Sequence, residues 1–90
     1  MHYFKFGEAI ENLKNGKAMS RQGWNGKNAY IYYIPANNYN AETEVAKEEF
    51  GDKVPYGAYI AMKTTQGNVV PWVASQTDIL AEDWYIVDKK

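Results

Sequence analysis

Cysteine is absent from the 90 residues. That excludes disulfides, a thiolate nucleophile and any metal site built on thiolates. Histidine occurs once, at His2, so neither a Ser-His-Asp nor a Cys-His constellation can be assembled. A metal site would have to be made of carboxylates alone, and no spacing points to one. No apolar run approaches the roughly 20 residues that span a bilayer. The N-terminal stretch MHYFKFGEAIENLKNGK is charged and lacks the apolar region of a signal peptide. The expectation is a soluble, cytoplasmic protein without a membrane partner. Surplus charge is also lacking: ten Lys and Arg against eleven Asp and Glu give a net charge of −1. Long DNA or RNA is therefore not an expected partner, because no basic excess is there to neutralise phosphates. The segment RQGWNGK does not have P-loop or dinucleotide-loop spacing. Nothing in the sequence calls for a cofactor.

Aromatics are abundant instead. Three Trp, eight Tyr and three Phe exceed what the core of so small a chain can bury. Aromatic side chains are favoured at interfaces and in ligand pockets, where one end is apolar and the other wet. The length fits one domain, residues 1–90, of marginal stability. Small chains often gain the missing stability by oligomerising.

The order of elements follows from periodicity and turn residues. Phe6, Ile10 and Leu13 fall on one stripe and predict a helix over residues 7–15, with Glu8 in its first turn, Lys14 in its last and Gly16 to end it. Asn25-Gly26 lies between two strand-like runs, residues 17–24 and 28–34, and predicts a type I′ hairpin. In the second strand Tyr30, Tyr32 and Ile34 face one way, Ile31 and Tyr33 the other. Pro35 ends it. Residues 36–57 are polar and read as an irregular excursion, in which a short helix around residues 42–50, ended by Gly51, has poor apolar spacing. A strand over residues 58–64, with Ile60 and Met62 inward, turns at Gln66-Gly67 into a partner over residues 68–73, which Pro71 confines to an edge or a bulge. Ser75 can N-cap a short helix with Asp78 at its third position. Residues 84–87 close the sheet. The whole predicts a small single α+β domain: a mostly antiparallel sheet with an N-terminal helix and a short C-terminal helix.

Two stretches can carry chemistry. WVASQTDILAEDW, residues 72–84, places Ser75, Gln76, Thr77 and Asp78 between Trp72 and Trp84. The carboxylates Asp78, Glu82 and Asp83 are the only candidates for acid–base catalysis, and they fit a helix cap and a helix end equally well. Around the predicted turn, Arg21 (the one arginine), Trp24, Asn25, Gly26 and Lys27 bring together a stacking ring, two cations and an exposed backbone. An ordinary hairpin with a cation–aromatic neighbour pair accounts for the same residues. On the binding reading, Arg21 and Lys27 take phosphate, Trp24 stacks, Trp72 and Trp84 anchor the segment with one or both stacking on core or base, and Asp78 accepts from a ribose diol.

The segments FGEAIENLKNGK, SRQGWNGKNAYIYYIP and YIAMKTTQGNVVPWVASQTDILAEDWYIV resemble the second type of phage Thoeris anti-defence protein. The resemblance covers most of the chain. It is most specific in the Trp-Asn-Gly-Lys turn and the Pro-Trp-x-x-Ser-Gln-Thr-Asp-x-Leu-Ala-x-Asp-Trp block; residues 36–57 match no motif of that family. It implies a sponge, acting in the cytoplasm of an infected bacterium, that binds the immune signal 1″–3′ glycocyclic ADP-ribose without cleaving it. It also implies a homo-oligomer, a tetramer with pockets between subunits, and cyclic oligonucleotides as further ligands of some members. The ligand-binding residues it assigns are Arg21, Trp24, Asn25, Gly26, Lys27, Trp72, Ser75, Gln76, Thr77 and Asp78. Two rivals remain at this level: a hydrolase of the signal, and a protein-interaction module that blocks a host defence protein.

Overall fold

The structure, a computed structural model, describes residues 2–24 and 28–88. The N-terminal stripe forms helix α1, Phe6–Lys14. Its first turn is closed by the Glu8 side chain, which accepts from the Lys5 N–H at 2.9 Å. Its end is set by Gly16, whose φ of +89° suits a residue without Cβ. The helix buries Ala9 and Leu13 completely against Met19, Ile31 and Trp84. Burying side chains of this size contributes about 1.5–3 kcal/mol each. Truncating Leu13 to Ala would cost about 2–5 kcal/mol.

Five strands make the main sheet, in the order β6-β5-β2-β1-β7. They are β1 Ala18–Arg21, β2 Tyr30–Ile34, β5 Tyr59–Lys63, β6 Val69–Pro71 and β7 Trp84–Val87. Every pairing is antiparallel. The α+β expectation holds, and Pro71 sits at the end of an edge strand, where its missing N–H costs no ladder bond. In β2, Ile31 is fully buried and Tyr33 packs on the core. The rings of Tyr30 and Tyr32 lie 6.2 Å apart on the opposite face. Ile60 and Met62 pack inward as expected.

Two expectations need correction. The first hairpin does not have the long arms expected of it. The strands stop at Arg21 and resume at Tyr30, and the pairing Met19↔Ile31 is one residue out of the register that a two-residue turn at 25–26 requires. The chain leaves the strand early because the Trp24 N–H bonds back to the Arg21 carbonyl at 3.1 Å. The conformation of Asn25-Gly26 itself lies outside the described residues.

The second correction concerns residues 36–57. Here β3 (Asn37–Asn40) and β4 (Lys53–Tyr56) pair antiparallel as a separate two-stranded sheet. Between them lies helix α2, Glu44–Phe50. Thr43 caps that helix by accepting from the Ala46 N–H at 3.2 Å, and Gly51 ends it at φ +82°. No residue of α2 is buried, which is the structural counterpart of its poor apolar spacing. The last helix, α3 (Gln76–Leu80), follows Ser75 as its N-cap.

Candidate functional site

The site lies on the side of the sheet that faces α1, where the end of β1 meets α3 and the start of β7. Ser75 and Asp78 form a reciprocal capping box: Ser75 Oγ accepts from the Asp78 N–H at 3.0 Å, and Asp78 Oδ2 accepts from the Ser75 N–H at 3.1 Å. The box fixes the Asp78 carboxylate, which then reaches across the fold. Its Oδ1 accepts from Arg21 Nη1 at 2.8 Å and from Trp24 Nε1 at 3.2 Å. The Asp78 carbonyl accepts from Trp84 Nε1 at 3.0 Å, which satisfies the polar edge of a fully buried indole.

Asp83 closes the same clasp from the other side. Its Oδ1 accepts from Arg21 Nε at 2.8 Å, its Oδ2 from the Gly23 N–H at 2.8 Å, and its carbonyl from the Gln22 N–H at 3.1 Å. The fit at Gly23 is tight: a Cβ there would come within 3.1 Å of both Arg21 Nη2 and Asp83 Oδ2. Arg21 thus holds two carboxylates, and the chain just past β1 is tied to the segment between α3 and β7.

The charges follow from these bonds. Burial pushes the Asp78 carboxyl up, but the donors Ser75, Arg21 and Trp24 outweigh it and hold the group below the ordinary carboxylate range. For Asp83 the Arg21 hydrogen bond dominates and lowers it, against burial and with help from the Gly23 N–H. The Arg21 guanidinium is raised, chiefly by its bond to Asp83. All three groups are ionised at neutral pH.

Above the clasp sits an aromatic cluster. The Trp24 and Trp84 rings meet edge to face at 5.2 Å, Trp72 and Trp84 at 6.0 Å, and Trp24 and Trp72 at 6.3 Å. Phe6 leans on Trp84 at 5.7 Å. Such pairs add about 0.5–1.5 kcal/mol beyond burial. Trp84 is fully buried, whereas Trp24 and Trp72 are half-buried and keep exposed surface. Trp72 also walls an apolar cleft of about 320 Å³ with Ile10, Leu13, Tyr33, Tyr59 and Ile60, with Lys14 among its lining residues. That volume lies at the small end of the roughly 300–1,000 Å³ usual for small-molecule sites.

Of the residues that the sequence singled out, the fold gathers Arg21, Trp24, Trp72, Ser75 and Asp78 into one cluster. Gln76 and Thr77 are exposed in the first turn of α3. Asn25, Gly26 and Lys27 lie outside the described residues. The arginine proposed for phosphate has Nε and Nη1 committed to carboxylates, and the carboxylate proposed for ribose already accepts three hydrogen bonds. Sequence reasoning raised Asp83 only as a candidate acid or base. Its partnership with Arg21, 62 positions away, leaves no local signal.

Comparison with known proteins gives this arrangement a family. The family model for the Thoeris anti-defense 2-like domain matches residues 4–87. The chain is also similar to a protein of Bacillus phage SP01 named Thoeris anti-defense 2, at 40% identity over 82 residues, covering 91% of this chain and 92% of that relative. The matched span runs from Phe4, which bridges to Trp84, to the last residue of β7 and so takes in the whole clasp. The chain belongs to the Thoeris anti-defense 2-like family.

Proposed function

We propose that the protein, whose family membership supports a phage inhibitor of Thoeris immunity, works by sequestration. On this reading it binds the cyclic nucleotide signal 1″–3′ glycocyclic ADP-ribose in the cytoplasm of the infected host and holds it without cleaving it. It acts as a homo-oligomer, a tetramer, and cyclic oligonucleotides are further candidate ligands.

One observation carries the preference for binding over hydrolysis. Asp78 and Asp83, two of the three carboxylates that could have done acid–base work, are ionised and engaged by Arg21, Trp24, Gly23 and Ser75. A general acid must hold a proton near neutral pH, and both groups are shifted the other way. What the cluster offers a ligand is aromatic surface: the half-buried indoles of Trp24 and Trp72, against which a nucleobase can stack. The first turn of α3 adds the exposed Gln76 and Thr77 as hydrogen-bonding groups for sugar or base edges. Arg21, Asn25, Gly26, Lys27, Ser75 and Asp78 complete the proposed binding region.

Calorimetric titration of the full chain with 1″–3′ glycocyclic ADP-ribose tests the reading. Saturable binding, with fixed stoichiometry per chain and no continuing heat of reaction, is expected. Absence of binding at micromolar protein, together with capture of a host defence protein, would favour the interaction-module reading instead.

A further inference from the structure

The segment that carries Trp24 has left the sheet. β1 makes its last pair at Arg21, opposite Trp84, and Gln22, Gly23 and Trp24 follow outside the ladder. Their N–H groups are bonded all the same. Gln22 donates to the Asp83 carbonyl at 3.1 Å, Gly23 to Asp83 Oδ2 at 2.8 Å, and Trp24 to the Arg21 carbonyl at 3.1 Å. Two of these three bonds end on Asp83. Gln22 has one further tie, from the Tyr3 hydroxyl to its side-chain oxygen at 3.2 Å, and that tie does not hold the backbone. Among the described residues, Asp83 is what fixes this stretch of backbone from across the fold.

Asp83 reaches the Trp24 indole by two routes. Through the backbone, its Oδ2 holds Gly23, and so the Cα from which the ring hangs. Through side chains, its Oδ1 holds Arg21 Nε at 2.8 Å, and Arg21 Nη1 holds Asp78 Oδ1 at 2.8 Å. That same Asp78 oxygen accepts from Trp24 Nε1 at 3.2 Å. One carboxylate therefore bears on both the root of the indole and its polar edge. There is little slack: a Cβ at Gly23 would lie 3.1 Å from both Arg21 Nη2 and Asp83 Oδ2. A ring held in this way has given up its rotational freedom before a ligand arrives. Such preorganisation strengthens binding by removing that cost, and the gain shows chiefly as slower release. Slow release is what sequestration demands.

We infer that Asp83 is a positioning residue for ligand binding: it presets the Trp24 ring for a stacked nucleobase, and the missing side chain of Gly23 makes room for its grip. The inference rests on the proposed stacking at Trp24 and adds a residue that the binding region above does not contain.

The test uses the full chain labelled with fluorotryptophan, and 1″–3′ glycocyclic ADP-ribose as the probe. Three tryptophans give three fluorine NMR lines, and Trp24→Phe assigns the line of Trp24. Two variants disturb the grip by different means. Asp83→Asn is isosteric, but its amide must turn an NH2 toward either Arg21 or the Gly23 N–H, donor against donor. Gly23→Ala keeps every charge and crowds Arg21 and Asp83. Ile31→Val is the control: it loosens the core and alters no bond of the grip. In ligand-free Asp83→Asn and Gly23→Ala the Trp24 line should move. Release of the probe, followed by stopped flow, should be roughly tenfold or more faster than from the parent. Ile31→Val should keep the parent's line and rate. A parent-like rate in either folded variant, whether or not the line moves, overturns the inference and leaves stacking at Trp24 standing. Equally fast release from Ile31→Val also overturns it, because lost stability alone would then explain the effect. Faster release with an unmoved Trp24 line would make Asp83 a ligand contact and overturn it too. A parent that binds no probe at micromolar concentration refutes both the inference and the reading it rests on.

Discussion

Replacing Arg21 by Met separates a structural arginine from a phosphate-binding one. The guanidinium is 13% exposed and donates to two carboxylates at 2.8 Å each. The Asp78 side chain is 12% exposed and the Asp83 side chain 30%. Hydrogen bonds to charged groups contribute about 1.5–3 kcal/mol, so the Asp78 bond is assigned about 2 kcal/mol. The Asp83 bond is more screened by solvent and is assigned about 1 kcal/mol. Loss of both leaves two neighbouring carboxylates without their cation, a total of about 3 kcal/mol. A 90-residue domain has roughly 5–13 kcal/mol of stability, so Arg21→Met should still fold. Its melting temperature should fall by roughly 12–24 °C. Thermal and urea unfolding at pH 7, followed by tryptophan signals, give the number. The difference from the parent should shrink in strong acid, where the aspartates are protonated. A loss under about 1 kcal/mol, within the range of exposed ion pairs, would refute the clasp. If ligand binding were abolished at the same time, the part of Arg21 in the proposed binding region would stand without its structural one.

Three further outcomes follow from the same geometry. Asp78 and Asp83 have folded values below the ordinary 3.8; their stabilisation is therefore complete above that range and is lost as pH falls through the lowered values. The melting temperature should be flat above about pH 5 and drop below it, and the Asp78→Asn, Asp83→Asn double variant should lose much of that drop in an acid titration. Trp24→Ala should weaken nucleotide binding by about 1–3 kcal/mol if the ring stacks on a base, roughly five- to hundredfold in calorimetric affinity; parent-like affinity in a folded variant would remove Trp24 from the site. Ser75→Ala removes the acceptor for the Asp78 N–H and should cost about 1 kcal/mol by urea unfolding, with no loss there if the cap is dispensable.

What could be read from the sequence was what is local. The Phe6, Ile10, Leu13 stripe marks α1 because a helix packs one face, and Ser75 with Asp78 marks the start of α3 because a cap is built within four residues. The small two-stranded sheet was not legible: Asn37–Asn40 is polar and wholly exposed, so no alternation betrays a strand, and Pro55 interrupts its partner. The Asn25-Gly26 signal pointed to long hairpin arms, but β1 ends at Arg21, where the Asp83 carboxylate takes the Gly23 N–H and the Trp24 N–H turns back to the Arg21 carbonyl. For the candidate site, the bracket of Trp72 and Trp84 around a polar run marked a segment that the fold brings against Arg21 and Trp24. That Trp84 is core while Trp72 and Trp24 keep open surface depends on how α1 and Phe6 pack over it, which no local pattern encodes.

Sequestration without cleavage is tested most directly by recovery of the ligand. The full chain is incubated with 1″–3′ glycocyclic ADP-ribose, freed of unbound nucleotide and heat-denatured, and the supernatant is identified by mass spectrometry and chromatography. Intact cyclic signal, in fixed ratio to protein whatever the incubation time, is the predicted result. Linear ADP-ribose that accumulates with time and with protein would contradict it.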